Sequence, residues 1–311
     1  MKISLRLLRV STLVASGLVA AVGPSFAQAP TNVDSSSILV DYNADSLLNG
    51  APISSWTPSS GSDPEAATVA NATATGGGDI YTSPTVTNSG SIFNNHQYVS
   101  FVSGNGSYQG LGTANDLGLT GATNMSVAGV YATTSTPNAA GIAGLGNQAG
   151  GAGAWFDLED RTFIVSGDPY LAGYANDLNS GGSPSAEAGV LTFALGTYTA
   201  NATSATFTLY WAYGLTGAVQ STSATLSLVN TTTDNFELGY NAQDYSASGG
   251  SPIELGQALA WDTALSSTDA TTEIENLQAF YASPIPEPST YALVGVSLLI
   301  GVVFLRRRAI S

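Results

Sequence analysis

Apolar and polar residues alternate along most of this chain, and the alternation is interrupted at short intervals by Gly, Asn, Ser and Pro. A period of two is the signature of a strand with one buried face. It predicts strands at Ser37–Tyr42, Gln97–Val102, Met125–Tyr131, Ala154–Leu158, Thr162–Val165, Val190–Leu195, Ala205–Tyr213, Thr225–Val229, Phe236–Tyr240 and Pro252–Trp261. So many short strands must each bury a face. That points to an all-β fold, a sandwich of two packed antiparallel sheets. One segment departs from the pattern. Leu265–Asp269 offers helix caps, and Ile274, Leu277 and Tyr281 share one face of a short C-terminal helix over Ala270–Tyr281. Three stretches rich in small residues, 66–78, 138–153 and 246–252, read as long loops within one domain.

The two ends lose the alternation altogether. Lys2, Arg6 and Arg9 precede an apolar run from Val10 to Val22, and Ser25-Phe26-Ala27 is a small-x-small site. This reads as a secretory signal peptide, residues 1–27, cleaved after Ala27. At the other end 289–305 holds no charge and is followed by Arg306-Arg307-Arg308. Its 17 residues are near the lower limit for a spanning helix. Arginines on one side only orient a single-pass inner-membrane anchor with a cytoplasmic C-terminus. The expected organisation is therefore signal peptide 1–27, folded domain 28–283 and membrane tail 284–311.

Charge sharpens this picture. The chain has 7 basic and 22 acidic residues, and six of the basic ones lie in the two end segments. Only Arg161 remains between 28 and 283, against 21 acids once Glu287 in the tail is set aside. A domain near −20 repels nucleic acid and anionic lipid and favours divalent or cationic partners. The acids are scattered, and 43% hydrophobic content with 14 Tyr and 10 Phe suits a packed core rather than a disordered acidic tail. There is no Cys, so neither disulfides nor a lipoprotein anchor exist.

The tail resembles the PEP-CTERM sorting signal. The resemblance rests on Pro286-Glu287-Pro288, the apolar run that follows and Arg306–Arg308, in that order. It implies a Gram-negative bacterium, recognition by an exosortase-type membrane protease, cleavage near the Pro-Glu-Pro motif, and delivery to the cell surface or an exopolysaccharide matrix. The domain resembles the concanavalin A-like (laminin G-like) jelly roll in three places. These are the opening Leu39–Leu47 with Asn49–Ile53 and Trp56, the strand Tyr98–Phe101, and the closing unit Ile253–Asp262 with its turn and helix to Tyr281. This fold hosts lectins, glycosidases, adhesion modules and spacers, so the likeness leaves the activity open.

Candidate chemistry is thin. Retaining glycosidases need two carboxylates on one strand. Asp157-Leu158-Glu159-Asp160 comes nearest but lacks the outer glutamates of the jelly-roll glucanases, and a solvated strand end before Arg161 explains it as well. His96 is the lone histidine, so a hydrolytic triad would have to be built on it; a satisfied histidine in a turn is the simpler reading. Asp41-x-Asn43-x-Asp45 offers oxygens as a calcium loop does, which makes Ca2+ the candidate cofactor. The twelfth position from Asp41 is Pro52, so this is no EF-hand, and Asp45 also suits a structural turn. Trp155, Tyr170 and Tyr174 are the candidate glycan-contact residues, while Trp211 and Trp261 sit in strand patterns and belong in the core. The expectation is an exported, surface-sorted, non-enzymatic protein with a structural or adhesive role, its partners an exosortase and extracellular polysaccharide. A lectin-like carbohydrate-binding module is the alternative, and a glycoside hydrolase a further one.

Overall fold

A computed structural model describes residues 30–64, 66–69, 80–81, 83–87, 92–102, 107–115, 117–119, 121–133, 139–146, 155–161, 168–172, 178–180, 189–229, 236–239, 253–283 and 285. The chain divides into a compact unit, Pro30–Pro284, and a second unit made of its two ends, residues 1–29 and 285–311. The signal peptide and the spanning helix expected from the sequence lie outside the described residues. Among those described, no helix is long and apolar enough to cross a membrane.

The strands, in chain order, are β1 (Ile38–Asn43), β2 (Ser55–Trp56), β3 (Ala67–Val69), β4 (Ile80–Tyr81), β5 (Thr85–Thr87), β6 (Tyr98–Phe101), β7 (Ser107–Tyr108), β8 (Leu111–Gly112) and β9 (Met125–Thr133). They continue with β10 (Ala139–Gly146), β11 (Trp155–Arg161), β12 (Asp168–Ala172), β13 (Leu178–Asn179), β14 (Thr192–Ala200), β15 (Ala205–Tyr213), β16 (Gln220–Leu226), β17 (Phe236–Leu238) and β18 (Ile253–Trp261). One helix follows, α1 (Ser267–Ala282).

Two antiparallel eight-stranded sheets form the sandwich. The first runs β16-β15-β14-β9-β18-β6-β5, with β1 also paired to β18; the second runs β13-β12-β11-β10-β17-β8-β3-β2. β18 is the hub of the first sheet. It lies against β9 on one side and shares its other side between β1, at Gln257–Trp261, and β6, at Ile253–Leu255.

The first sheet is covered on both faces. One face packs on the second sheet through Met125, Val127 and Tyr131 of β9, Tyr198 of β14, and Leu255 and Ala258 of β18. The opposite face, with Ala128, Val130, Phe193, Leu195 and Trp261, packs under α1 through Ile274, Leu277 and Tyr281. Strands buried on both faces carry apolar residues at consecutive positions, as β9, β14 and β18 do over much of their length. α1 starts at Ser266, whose hydroxyl accepts the Asp269 N–H at 3.2 Å and donates to the Asp269 carboxylate at 2.6 Å.

Three expectations need correction. The loop expected at 66–78 begins with a strand, β3, paired to β2 and β8. The Gly/Ala stretch within 138–153 holds a strand, β10, between β11 and β17. Glycine is required there because a Cβ on Gly144 would collide with the Asp157 side chain. The strand expected at Thr225–Val229 instead occupies Gln220–Leu226, which among the described residues pairs β15 alone at the end of its sheet. Polar residues suit such an edge, so apolar alternation was a poor guide to its position. The strand expected at Thr162–Val165 lies outside the described residues.

Candidate functional site

The polar candidates of β1 face the helix side. Val40 and Tyr42 point into the inter-sheet core, so period two turns Asp41 and Asn43 the other way. Both are buried there. Asp41 Oδ1 accepts from Gln257 Nε2 at 2.7 Å. Its Oδ2 accepts from Asn32 Nδ2 at 3.1 Å and from the Ser60 hydroxyl at 3.2 Å. Asn43 Oδ1 accepts the Asp45 N–H at 2.9 Å and so caps the short 3-10 turn Ala44–Ser46.

Asp45 reaches across to the loop before β6. Its Oδ1 accepts the Gln97 N–H at 2.7 Å and its Oδ2 lies 2.6 Å from His96 Nδ1. His96 Nε2 in turn lies 2.9 Å from the Ser283 carbonyl oxygen. Both ring nitrogens lie within hydrogen-bond distance of an oxygen, one on the Asp45 carboxylate and one on the Ser283 carbonyl. The imidazole is buried against the rings of Phe280 and Tyr281. Asn94 Nδ2 completes the arrangement by donating to the carbonyls of Tyr281 and Ala282, each at 3.0 Å. The last carbonyls of α1, which have no partner within the helix, are thus closed by Asn94 and His96. His96 is therefore a satisfied histidine. Its free edge meets a backbone carbonyl rather than a hydroxyl nucleophile.

A second carboxylate sits near Asp41. Glu273 of α1 is 0% exposed, and its Oε2 accepts the Val33 N–H at 2.7 Å. Burial, with a further contribution from the Asp41 charge, pushes its pKa up to about 7 against the opposing Val33 hydrogen bond. Burial also raises Asp41, opposed by its bonds from Gln257, Asn32, Ser60 and Ser59. Among the described residues, His96 and Asp45 are in contact at 2.6 Å, and no group of three or more His, Asp or Glu is placed to hold a metal. Asp41, Asn43 and Asp45 thus share a region of the fold but take their hydrogen bonds from different partners. Gln257 and Glu273 were missed in the sequence. Gln257 did leave a signal, as a polar residue inside the apolar run of β18.

The acids of β11 lie elsewhere. Phe156 and Leu158 point into the inter-sheet core, which places Asp157 and Glu159 together on the outer face of the second sheet. They are 4% and 0% exposed, so the solvated strand end expected from the sequence is wrong: Asp157 folds over the bare backbone of Gly144, which removes it from water. Tyr170 of β12 takes the register position opposite Glu159, and Trp155 opens β11 opposite Gly146. Tyr174 lies outside the described residues. Trp56, Trp211 and Trp261 are buried, at 0%, 5% and 0% exposure.

Residues 284–308 match the PEP-CTERM protein-sorting motif. A chain with this motif is exported and surface-sorted, and PEP-CTERM implies recognition by an exosortase, a membrane protease. A comparison with curated proteins finds no match. The sandwich is similar to that of an arabinofuranosidase complexed with arabinofuranosyl-α-1,2-xylobiose, with a TM-score of 0.54 and 12% identity over 74% of this chain and 51% of that one. It is also similar to an α-L-arabinofuranosidase soaked with a cyclic sulfate inhibitor, with a TM-score of 0.52 and 14% identity over 84% of this chain and 61% of that one. The chain spans roughly half to three-fifths of these enzymes' length, and at such identity the likeness shows the fold alone.

Proposed function

We propose that this PEP-CTERM chain is a non-enzymatic protein of the cell envelope or exopolysaccharide matrix, with a structural or adhesive role. The observation that carries the reading is the sorting motif at 284–308 joined to a two-sheet sandwich whose candidate acids are engaged internally. After export by the signal peptide 1–27, the tail at 289–305 anchors the chain with its arginines in the cytoplasm, and an exosortase cuts near Pro286-Glu287-Pro288. The strongly acidic, lysine-free domain then remains soluble among polysaccharides and takes cations from them. Replacing Pro286, Glu287 and Pro288 with alanine should trap a longer, membrane-bound form. Unchanged release would contradict exosortase processing.

A second reading, glycan contact at Trp155, Tyr170 and Tyr174, is supported by the likeness of the fold to two arabinofuranosidases and by the neighbouring strands that carry Trp155 and Tyr170. Quenching of tryptophan fluorescence by one polysaccharide in a panel would support it, and a flat response would end it. Reducing-sugar release that is lost in the Asp157→Ala/Glu159→Ala double variant would overturn the non-enzymatic assignment itself.

A further inference from the structure

The two sheets end in very unequal edges. β1, which branches from β18, is bonded on its outer side by the backbone of Ser59–Asp63. Of the other four terminal strands three are short: β5 has 3 residues, β13 has 2 and β2 has 2. The fourth, β16, has 7, and it pairs with β15 from Ala205↔Leu226 to Trp211↔Gln220 without a register shift. Among the described residues, no strand pairs with its other side.

Exposed edges are normally blunted by charge, by proline, by a bulge or by shortness, because unpaired N–H and C=O groups recruit another strand. Gln220-Ser-Thr-Ser-Ala-Thr-Leu226 has none of these protections. Its outward side chains, Ser221, Ser223 and Thr225, are exposed and uncharged, while Ala224 and Leu226 pack toward the inter-sheet core.

Charge points to the occupant. No Asp, Glu, Lys or Arg occurs between Glu187 and Asp234, a stretch that contains β14, β15 and β16. Two copies of a domain near −20 repel one another across most of their surface, and least where this charge-free end of the first sheet lies. A cationic partner would instead choose the acidic remainder.

We propose that β16 of one copy pairs antiparallel with β16 of a second copy about a two-fold axis at Ser223, joining their first sheets edge to edge. Ser223 is the middle of the strand, so this register gives every residue a partner and sets Ser221 opposite Thr225 of the other copy. Such an isologous contact closes as a dimer rather than a filament. The dimer adds a mode of assembly to the structural role but rests on the sheet alone, so a monomer would leave the sorting assignment untouched.

The chain has no cysteine, which makes a single introduced thiol a clean reporter. Ser223→Cys in the full chain should cross-link to itself under mild oxidation, because opposed residues in an antiparallel pair bring their Cβ atoms within disulfide reach. Thr203→Cys, in the exposed turn between β14 and β15, sets the collisional background. The expected result is cross-linking at Ser223→Cys about tenfold above that background, lost again when Ser221→Glu and Thr225→Glu are added, since each glutamate would then face a like charge. Mixing that triple variant with one carrying Ser221→Lys and Thr225→Lys should restore a mixed dimer. Circular dichroism confirms that each variant is folded. Equal cross-linking at Ser223→Cys and Thr203→Cys, or cross-linking indifferent to the glutamates, would overturn the proposal.

Discussion

The two faces of the first sheet are built differently, although the same strands supply both. The inter-sheet face is dry and aromatic: Phe156, Tyr198 and Phe207 pack with ring centroids 5.2 to 6.0 Å apart. The face under α1 mixes such rings with Asp41, Gln257, Glu273 and the Asp45–His96 pair. One interface is held mainly by area and shape, with the Tyr198 hydroxyl bonded to the Val229 backbone. The other adds a set of buried hydrogen bonds whose worth depends on protonation. An apolar layer makes two sheets adhere, whereas a polar layer fixes where one helix sits, because each carboxylate accepts only from donors placed to reach it.

The largest break in this comparison is a cavity on the dry side. Phe207→Ala removes a fully buried ring and should cost about 3–5 kcal/mol, read as a urea midpoint lowered by the same amount at each pH between about 5 and 8. The helix side should respond to pH instead. Glu273 moves from an ordinary 4.5 to about 7 on folding, so the folded state holds the extra proton between those values. Its contribution is complete below about pH 4.5 and is lost as pH rises through 7, a decline of about 3 kcal/mol at most, with Asp41 adding in the same direction. Glu273→Gln keeps the shape and an acceptor for the Val33 N–H without the charge. It should flatten the pH profile and stabilise the protein at pH 8. A profile as steep as that of the unaltered chain would place the titration elsewhere.

Much of the fold was legible because alternating apolar positions and β-branched or aromatic residues mark strands. β9, β15 and β18 were read from that pattern, and α1 from Ile274, Leu277 and Tyr281. β10 was hidden by its glycines, which the approach of Asp157 demands but which read locally as a loop. β16 was misplaced because an edge strand buries little and so shows little pattern. Asp41 and Asn43 lie on β1 and Asp45 in the turn that follows, yet nothing near them in sequence shows that a helix more than two hundred residues later packs on that side. Long-range partners such as Gln257 leave only an oddly placed polar residue as their trace.

The account rests on a folded domain delivered by a removable tail, and the intact mass of the native protein recovered from the cell surface or medium tests this directly. A species beginning at Gln28 and ending near Pro286 is the predicted result, showing that both end segments are processed and that a free matrix protein remains. A species still ending at Ser311, found only in membranes, would make the tail a permanent anchor and contradict release into the matrix.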